Sequence, residues 1–207
     1  METPYIQDYK MTKLLGKGSY SNVYKVEKDG KEYALKRVDM SKLSDVDKQF
    51  ALNEVRFLSS LDIENVTKMH DVFYQDEDDS LCMVLEYAAR GDARSIIDKY
   101  HKESEEKNRF MFIPEETIWV ILLQCLKGLY ELDLQNIVHR DIKTENIFVY
   151  DDNKIKIGDF NITLVSFEGI IINQNGTPYY AAPEIYRNHD ATHKSDIWSL
   201  GICALEL

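Results

Sequence analysis

His139-Arg140-Asp141-Ile142-Lys143-Thr144-Glu145-Asn146 sets a carboxylate, an ammonium and a carboxamide at short intervals. Asp159-Phe160 follows it, a second carboxylate beside an aromatic ring. Phosphoryl transfer asks little covalent chemistry of a protein. It needs magnesium held in place, a group that orients a hydroxyl, and positive charge spread over developing negative charge. In such chemistry Asp141 suits the role of base or hydroxyl-orienting group. Lys143 would neutralise the phosphoryl in transfer, and Asn146 and Asp159 would offer oxygen to magnesium. The plain alternative is a polar loop with helix-capping residues. It accounts for each residue singly, but not for the set taken with Asp159-Phe160.

Upstream, Gly16-Lys17-Gly18-Ser19-Tyr20-Ser21-Asn22-Val23 lies on a turn between two strand-like runs. Glycines there let backbone amides approach phosphate oxygens with no Cβ in the way. No helix follows, which disfavours a dinucleotide fold, and the Gly-Lys-Ser/Thr of a P-loop is absent. By itself this turn reads equally well as an ordinary hairpin. Lys36 ends an apolar strand, where a lone lysine is most often an exposed edge residue. Glu54 sits among Leu52, Val55 and Leu58 on a helical stripe, where an acid either meets solvent or finds a cation. A Lys36–Glu54 pair would hold the ammonium over nucleotide phosphates.

The chain's 207 residues allow one good core or two modest ones, and 44% hydrophobic and 11% aromatic content exclude a disordered chain. A net charge of −11 argues against nucleic-acid and anionic-membrane partners. The acidic runs at residues 76–79 and 103–106 read as solvated loops rather than metal sites. Cys82, Cys125 and Cys203 lie far apart in apolar surroundings and read as buried reduced thiols. The first ten residues show no basic region followed by an apolar run, and no apolar segment nears the roughly 20 residues a bilayer requires. The expectation is a cytoplasmic protein, with nuclear or cytoskeletal association left open.

Strand-like alternation marks residues 11–15, 23–26 and 33–38, with a hairpin signal at Lys28-Asp29-Gly30-Lys31. Residues 45–61 switch to helical period. Two more strands, 66–74 and 81–86, flank the acidic turn. After Tyr87 the pattern is mainly helical: a short helix at 93–100, a polar insertion at 101–109, and a long helix opened by Pro114-Glu115-Glu116 and running to about Leu134. Strands at 147–150 and 155–157 flank Asp151-Asp152-Asn153, and 196–207 reads as a buried helix. The fold class is α+β: five antiparallel strands plus one helix, then a helical part.

Taken in order, these motifs resemble the eukaryotic protein kinases from about Tyr9 to Leu207. Gly176-Thr177-Pro178-Tyr179-Tyr180-Ala181-Ala182-Pro183-Glu184 and Asp196-Ile197-Trp198-Ser199-Leu200-Gly201 fit the same pattern. The run from Ile137 to Phe148, Gly158 before Asp159-Phe160, and Gly-Thr-Pro-Tyr-Tyr are most similar to the NIMA-related (Nek) serine/threonine kinases. The resemblance implies a two-lobed kinase domain over 9–207. Residues 9–87 would form an N-lobe, and 88–207 an incomplete C-lobe that ends within its central buried helix. It implies ATP and magnesium as cofactors, and transfer of the γ-phosphate to serine or threonine hydroxyls of protein substrates.

By the same resemblance, Gly16, Lys17, Gly18 and Ser19 would cover the phosphates. Lys36 would contact the α- and β-phosphates and pair with Glu54. Val23, Ala34 and Phe148 would enclose the adenine, while Glu86, Tyr87 and Ala88 would meet it with their backbone, behind Leu85. Asp141 would orient the substrate hydroxyl, and Asn146 and Asp159 would bind magnesium. Lys143 and Thr177 suggest serine/threonine rather than tyrosine as acceptor.

Several positions depart from the family pattern. Ser21 replaces the third loop glycine, and Asn161 replaces the glycine after Asp159-Phe160. Asparagine reaches positive φ more readily than most residues, so the expectation there is restricted activity. The rival reading is a nucleotide-binding pseudokinase that acts as a scaffold. Ile172-Asn173-Gln174-Asn175 offers no phosphoacceptor ahead of Gly176. Control by a regulatory protein partner is therefore expected, rather than by phosphorylation of Thr163, Ser166 or Thr177. Kinases of this pattern continue beyond the position of Leu207 with helices that cover residues 196–207 and supply an arginine to Glu184, so the chain reads as C-terminally truncated.

Overall fold

Asp29 and Gly30 both adopt positive φ, +52° and +72°. That is the turn whose twist matches a two-residue hairpin, and it joins β3 (Ser21–Lys28) to β4 (Lys31–Asp39) in unbroken register from Lys28–Lys31 to Ser21–Val38. The computed structural model describes residues 5–18, 21–41, 43–159, 178–187 and 190–207, without the side chains of 46, 47, 50, 53, 54, 57, 58 and 178. The chain divides into two compact units: Met1–Asp62 with Lys68–Tyr87, and Ile63–Thr67 with Ala88–Leu207.

The first unit is an antiparallel sheet in the order β1-β2-β3-β4-β6-β5. Its remaining strands are β1 (Tyr5–Ile6), β2 (Tyr9–Lys17), β5 (Met69–Gln75) and β6 (Ser80–Glu86). One helix, α1 (Asp45–Ser59), packs on β5. The sheet therefore has six strands and not the expected five. The extra one is the two-residue β1, turned back on β2 through Gln7 at φ +50° and held because Ile6 is buried in the core. Ile6, Tyr9, Val26, Leu35, Cys82 and Val84 form that core, with Tyr24, Tyr33 and Phe73 packed against it.

The acidic turn is not merely solvated. Asp78 pairs with Arg37, and Asp79 accepts Lys48 Nζ at 2.7 Å. The expected strand at 66–74 begins only at Met69. Val66 bridges instead to Ile157 within the second unit.

The second unit is mainly helical. Asp92 caps α2 (Ala93–Lys107) by accepting the amide and hydroxyl of Ser95, each at 2.7 Å. This helix runs through most of the stretch expected as a polar insertion. Its polar residues are helix formers joined by Glu103–Lys107 and Lys102–Glu106 pairs one turn apart, and Asn108 closes it in the left-handed conformation. Pro114 and two acids open α3 (Glu115–Leu134) as the sequence predicts. A hairpin of β7 (Ile147–Val149) and β8 (Ile155–Ile157) follows. A Thr192–Ser195 capping box starts α4 (His193–Glu206) ahead of the expected Asp196. The expected buried helix is buried along one face only, through Ser195, Asp196, Leu200 and Cys203. Ile197 and Trp198 are each 47% exposed. The three cysteines are free and buried, and no described helix is long and apolar enough to cross a membrane.

Candidate active site

Between α3 and β7, residues 139–146 end in one helical turn, Thr144–Asn146. The Asp141 side chain is the hub of this loop. Lys143 Nζ donates to Asp141 Oδ2 at 3.0 Å. Asn146 Nδ2 donates to the same oxygen at 2.9 Å and to the Asp141 carbonyl at 2.8 Å. Hydrogen bonds with an ionised partner are about twice as strong as neutral ones, so the carboxylate is fixed from two sides. Asn146 is buried, while Asp141 and Lys143 are partly exposed. The loop thus presents an oriented carboxylate and an ammonium together.

The loop is held from below by Asp196 on α4, which accepts the amides of His139 at 2.8 Å and Arg140 at 2.9 Å. Arg140 has φ +70°, a conformation an arginine rarely adopts unless its surroundings impose it. Burial lifts the Asp196 carboxyl above the usual carboxylate range, against the pull of His139 and the two amides. Sequence reasoning assigned Asp196 no role. The available signal was an acid leading the apolar run Ile197-Trp198-Ser199-Leu200.

His139 is buried, and its Nε2 lies 3.1 Å from the Gly158 carbonyl. A carbonyl can only accept, so Nε2 carries the proton. Nδ1 in turn accepts the Asp141 amide at 3.4 Å. Burial pushes the imidazole below its ordinary value. The Gly158 amide donates to the Asn146 carbonyl at 3.0 Å, which brings the backbone ahead of Asp159 against that of Asn146. Asp159 itself has φ +60°.

In the first unit, strand register gathers the other predicted residues. Gly16, Val23, Lys36 and Met83 are successive partners across β2, β3, β4 and β6. Lys25, Ala34 and Leu85 are partners across β3, β4 and β6. Partners in antiparallel strands share a face, and alternate residues return to it. Val23, Ala34, Lys36 and Leu85 therefore occupy one face, opposite the core residues Val26, Leu35 and Val84. Each of the four is only partly buried. No atom lies within 4 Å of where a Gly16 Cβ would stand, and the Gly18 amide closes the turn on the Ser21 carbonyl at 2.7 Å. Lys17 is exposed. At the end of β6, the Glu86 amide binds the Lys68 carbonyl at 3.0 Å, and the Tyr87 ring lies 4.6 Å from Lys25 Nζ. In the second unit, Ala88 accepts the Gly91 amide, and Phe148 sits on β7.

The Glu54 side chain, and with it the Lys36–Glu54 pair, lies outside the described residues. So do Ser19, Phe160, Asn161, Thr163, Ser166, Ile172 to Asn175 and Thr177. Glu184, expected to await an arginine, accepts the Ser195 hydroxyl at 2.7 Å. The donor chemistry of the candidate metal residues fits magnesium. Asn146 uses its Nδ2 on Asp141 and keeps its carboxamide oxygen for a ligand role, while Asp159 adds a carboxylate. Magnesium takes few protein oxygens and completes its shell with water and substrate phosphates.

A family model described as the protein kinase domain matches residues 9–207. The probable serine/threonine-protein kinase nek2 of Dictyostelium discoideum is 31% identical over 98% of the chain and 48% of its own length. The serine/threonine-protein kinase Nek4 of Mus musculus is 32% identical over 96% of the chain and 24% of its own length. Cell division control protein 7 of Schizosaccharomyces pombe is 35% identical over 93% of the chain and 17% of its own length. The chain spans less than half the length of these relatives.

Proposed function

We propose that this chain, which belongs to the protein kinase domain family, transfers the γ-phosphate of ATP to serine and threonine hydroxyls of proteins with magnesium as cofactor. The observation that carries the reading is the Asp141 carboxylate held by Lys143 Nζ at 3.0 Å and Asn146 Nδ2 at 2.9 Å. Asp141 accepts the hydrogen bond of the attacking hydroxyl and aims its lone pair. Lys143, beside that carboxylate, offsets charge gathering on the transferred phosphoryl. Asn146 and Asp159 would hold magnesium, which when bound neutralises phosphate charge. Gly16, Lys17, Gly18 and Ser19 would cover the phosphates, and Lys36, paired with Glu54, would bind the α- and β-phosphates. Val23, Ala34 and Phe148 would enclose the adenine, and Glu86, Tyr87 and Ala88 would meet it behind Leu85.

The test is transfer of labelled phosphate to a generic protein substrate by the purified chain. Lys36→Met and Asp159→Ala should each abolish it, and undiminished turnover in either variant would refute the site assignment. Asn161, where family members carry glycine, favours a second reading as a non-catalytic nucleotide-binding scaffold. A thermal shift with Mg-ATP but no transfer would support that scaffold. Control is proposed to come from a protein partner. An activating phosphate found stoichiometrically at Thr163, Ser166 or Thr177 would overturn this. The three free buried thiols support a reducing, cytoplasmic setting, with nuclear or cytoskeletal association left open.

A further inference from the structure

Thr144 opens the helical turn that ends in Asn146, and its side chain is fully buried. Its hydroxyl donates to Glu206 Oε2 at 3.0 Å and lies 3.2 Å from the Tyr180 hydroxyl. Tyr180, also buried, donates to the same Glu206 oxygen. The Tyr180 carbonyl accepts Ser199 Oγ on α4 at 2.8 Å, so its backbone is anchored to the helix that carries Glu206. Arg94 Nη1 on α2 approaches the other Glu206 oxygen at 3.9 Å. One carboxylate on α4 therefore gathers hydroxyls from two segments remote in sequence, the turn Thr144–Asn146 and the turn Pro178–Tyr180.

The consequence for Asp141 runs through a short chain of contacts. The Asn146 amide closes its turn on the Lys143 carbonyl at 3.0 Å, with Thr144 inside that turn. Asn146 in turn fixes the Asp141 carboxylate. A buried hydroxyl is tolerated only with a partner. Beside a longer 3.4 Å contact to Glu145 Oε2 within the same turn, the partner at 3.0 Å is Glu206, which ties the turn to α4. Burial first, and then the Glu206 bond, push the Tyr180 hydroxyl up, which keeps it a donor.

We propose that Thr144 is a positioning residue for phosphoryl transfer: through Glu206 its hydroxyl holds the Asp141–Asn146 pair in register with the turn Pro178–Tyr180. This rests on the kinase reading above. Thr144→Val keeps the shape and removes the donor, while Thr144→Ser keeps the donor. The valine variant should lose about tenfold in kcat for a peptide substrate, the scale of one hydrogen bond's contribution. Its KM for ATP should hold, and the serine variant should recover most of the rate. Tyr180→Phe should show a similar loss, and the double variant little more than either, since both hydroxyls serve one oxygen.

An unchanged kcat in Thr144→Val, or an equal loss in Thr144→Ser, would overturn the proposal. Should Thr144→Val not fold, Tyr180→Phe carries the test alone, and an unchanged kcat there is equally adverse. If the parent chain transfers no phosphate, the kinase reading fails separately. Amide exchange over residues 141–149 then decides: faster exchange in the valine variant than in the parent or serine variant supports the coupling, and equal exchange removes it.

Discussion

Gly158 has no room for a side chain. A Cβ there would stand 2.8 Å from Thr67 Cβ, press on Thr67 Oγ1, and come within 3.2 Å of Phe148 Cε2. Thr67 is buried, and rotation about its side chain cannot move its Cβ. Gly158→Ala should lower stability by about 1–3 kcal/mol, the usual range for overpacking. On the kinase reading it should also reduce kcat, because it shifts the carbonyl that accepts His139 and the backbone leading to Asp159. A thermal melt superimposable on the parent's would show that the backbone has slack. His139 gives a pH dependence with a definite sign. Its folded value lies below its unfolded one, so the unfolded state binds more protons once pH falls below about 6.5. Protonation of Nδ1 would also set a second donor against the Asp141 amide. The His139 contribution to stability is thus complete above that pH and lost as pH falls. In denaturant titrations from about pH 7.5 to 5.5, His139→Gln should flatten the decline. An equally steep fall in that variant would place the proton uptake on another group.

At the scale of elements, Asn65 ties β8 to α3. Its Nδ2 donates to the Ile155 carbonyl of β8 at 2.8 Å and to Gln124 Oε1 of α3 at 3.1 Å, and Gln124 Oε1 accepts the Ile155 amide at 2.9 Å. The Asn65 carbonyl takes the Ile157 amide at 2.9 Å. Asn65→Ala should therefore leave a buried carbonyl short of its donor and cost about 1–3 kcal/mol, with amide exchange rising along β8. If exchange rises nowhere near β8, the bond is not what holds that strand. The same contacts explain what was legible in the sequence. Asp141, Lys143 and Asn146 meet within one loop, so spacing alone could read them as a set. Asp196 binds the amides of His139 and Arg140, and Asn65 binds Ile155, across long sequence separations that carry no periodic signal. Likewise, α2 beyond Tyr100 lacks an apolar stripe and is held by ion pairs one turn apart, while β1 is too short to alternate. The elements missed were those whose stability comes from pairing rather than pattern.

For the whole molecule, 36 acidic against 25 basic residues set a net charge of −11, read directly from composition. Several of the basic residues are engaged locally, as in Lys25–Glu32, Lys48–Asp79 and Lys68–Asp62. Pairs open to solvent, as Lys68–Asp62 is, contribute roughly 0–1 kcal/mol each, so they shape the surface more than they stabilise it. What survives at long range is the summed negative field, which raises the local concentration of cations and speeds their encounter. On the kinase reading, a peptide rich in lysine and arginine should reach the 207-residue chain faster than an uncharged one. Raising salt from about 20 to about 300 mM shortens the screening length severalfold. It should therefore lower kcat/KM for the cationic peptide several-fold, leave its kcat nearly constant, and leave the uncharged peptide flat. Equal salt dependence for the two peptides would mean that salt acts on the fold and not on the encounter. A flat response from both would mean that the acidic surface lies too far from the Asp141 loop to steer a substrate toward it.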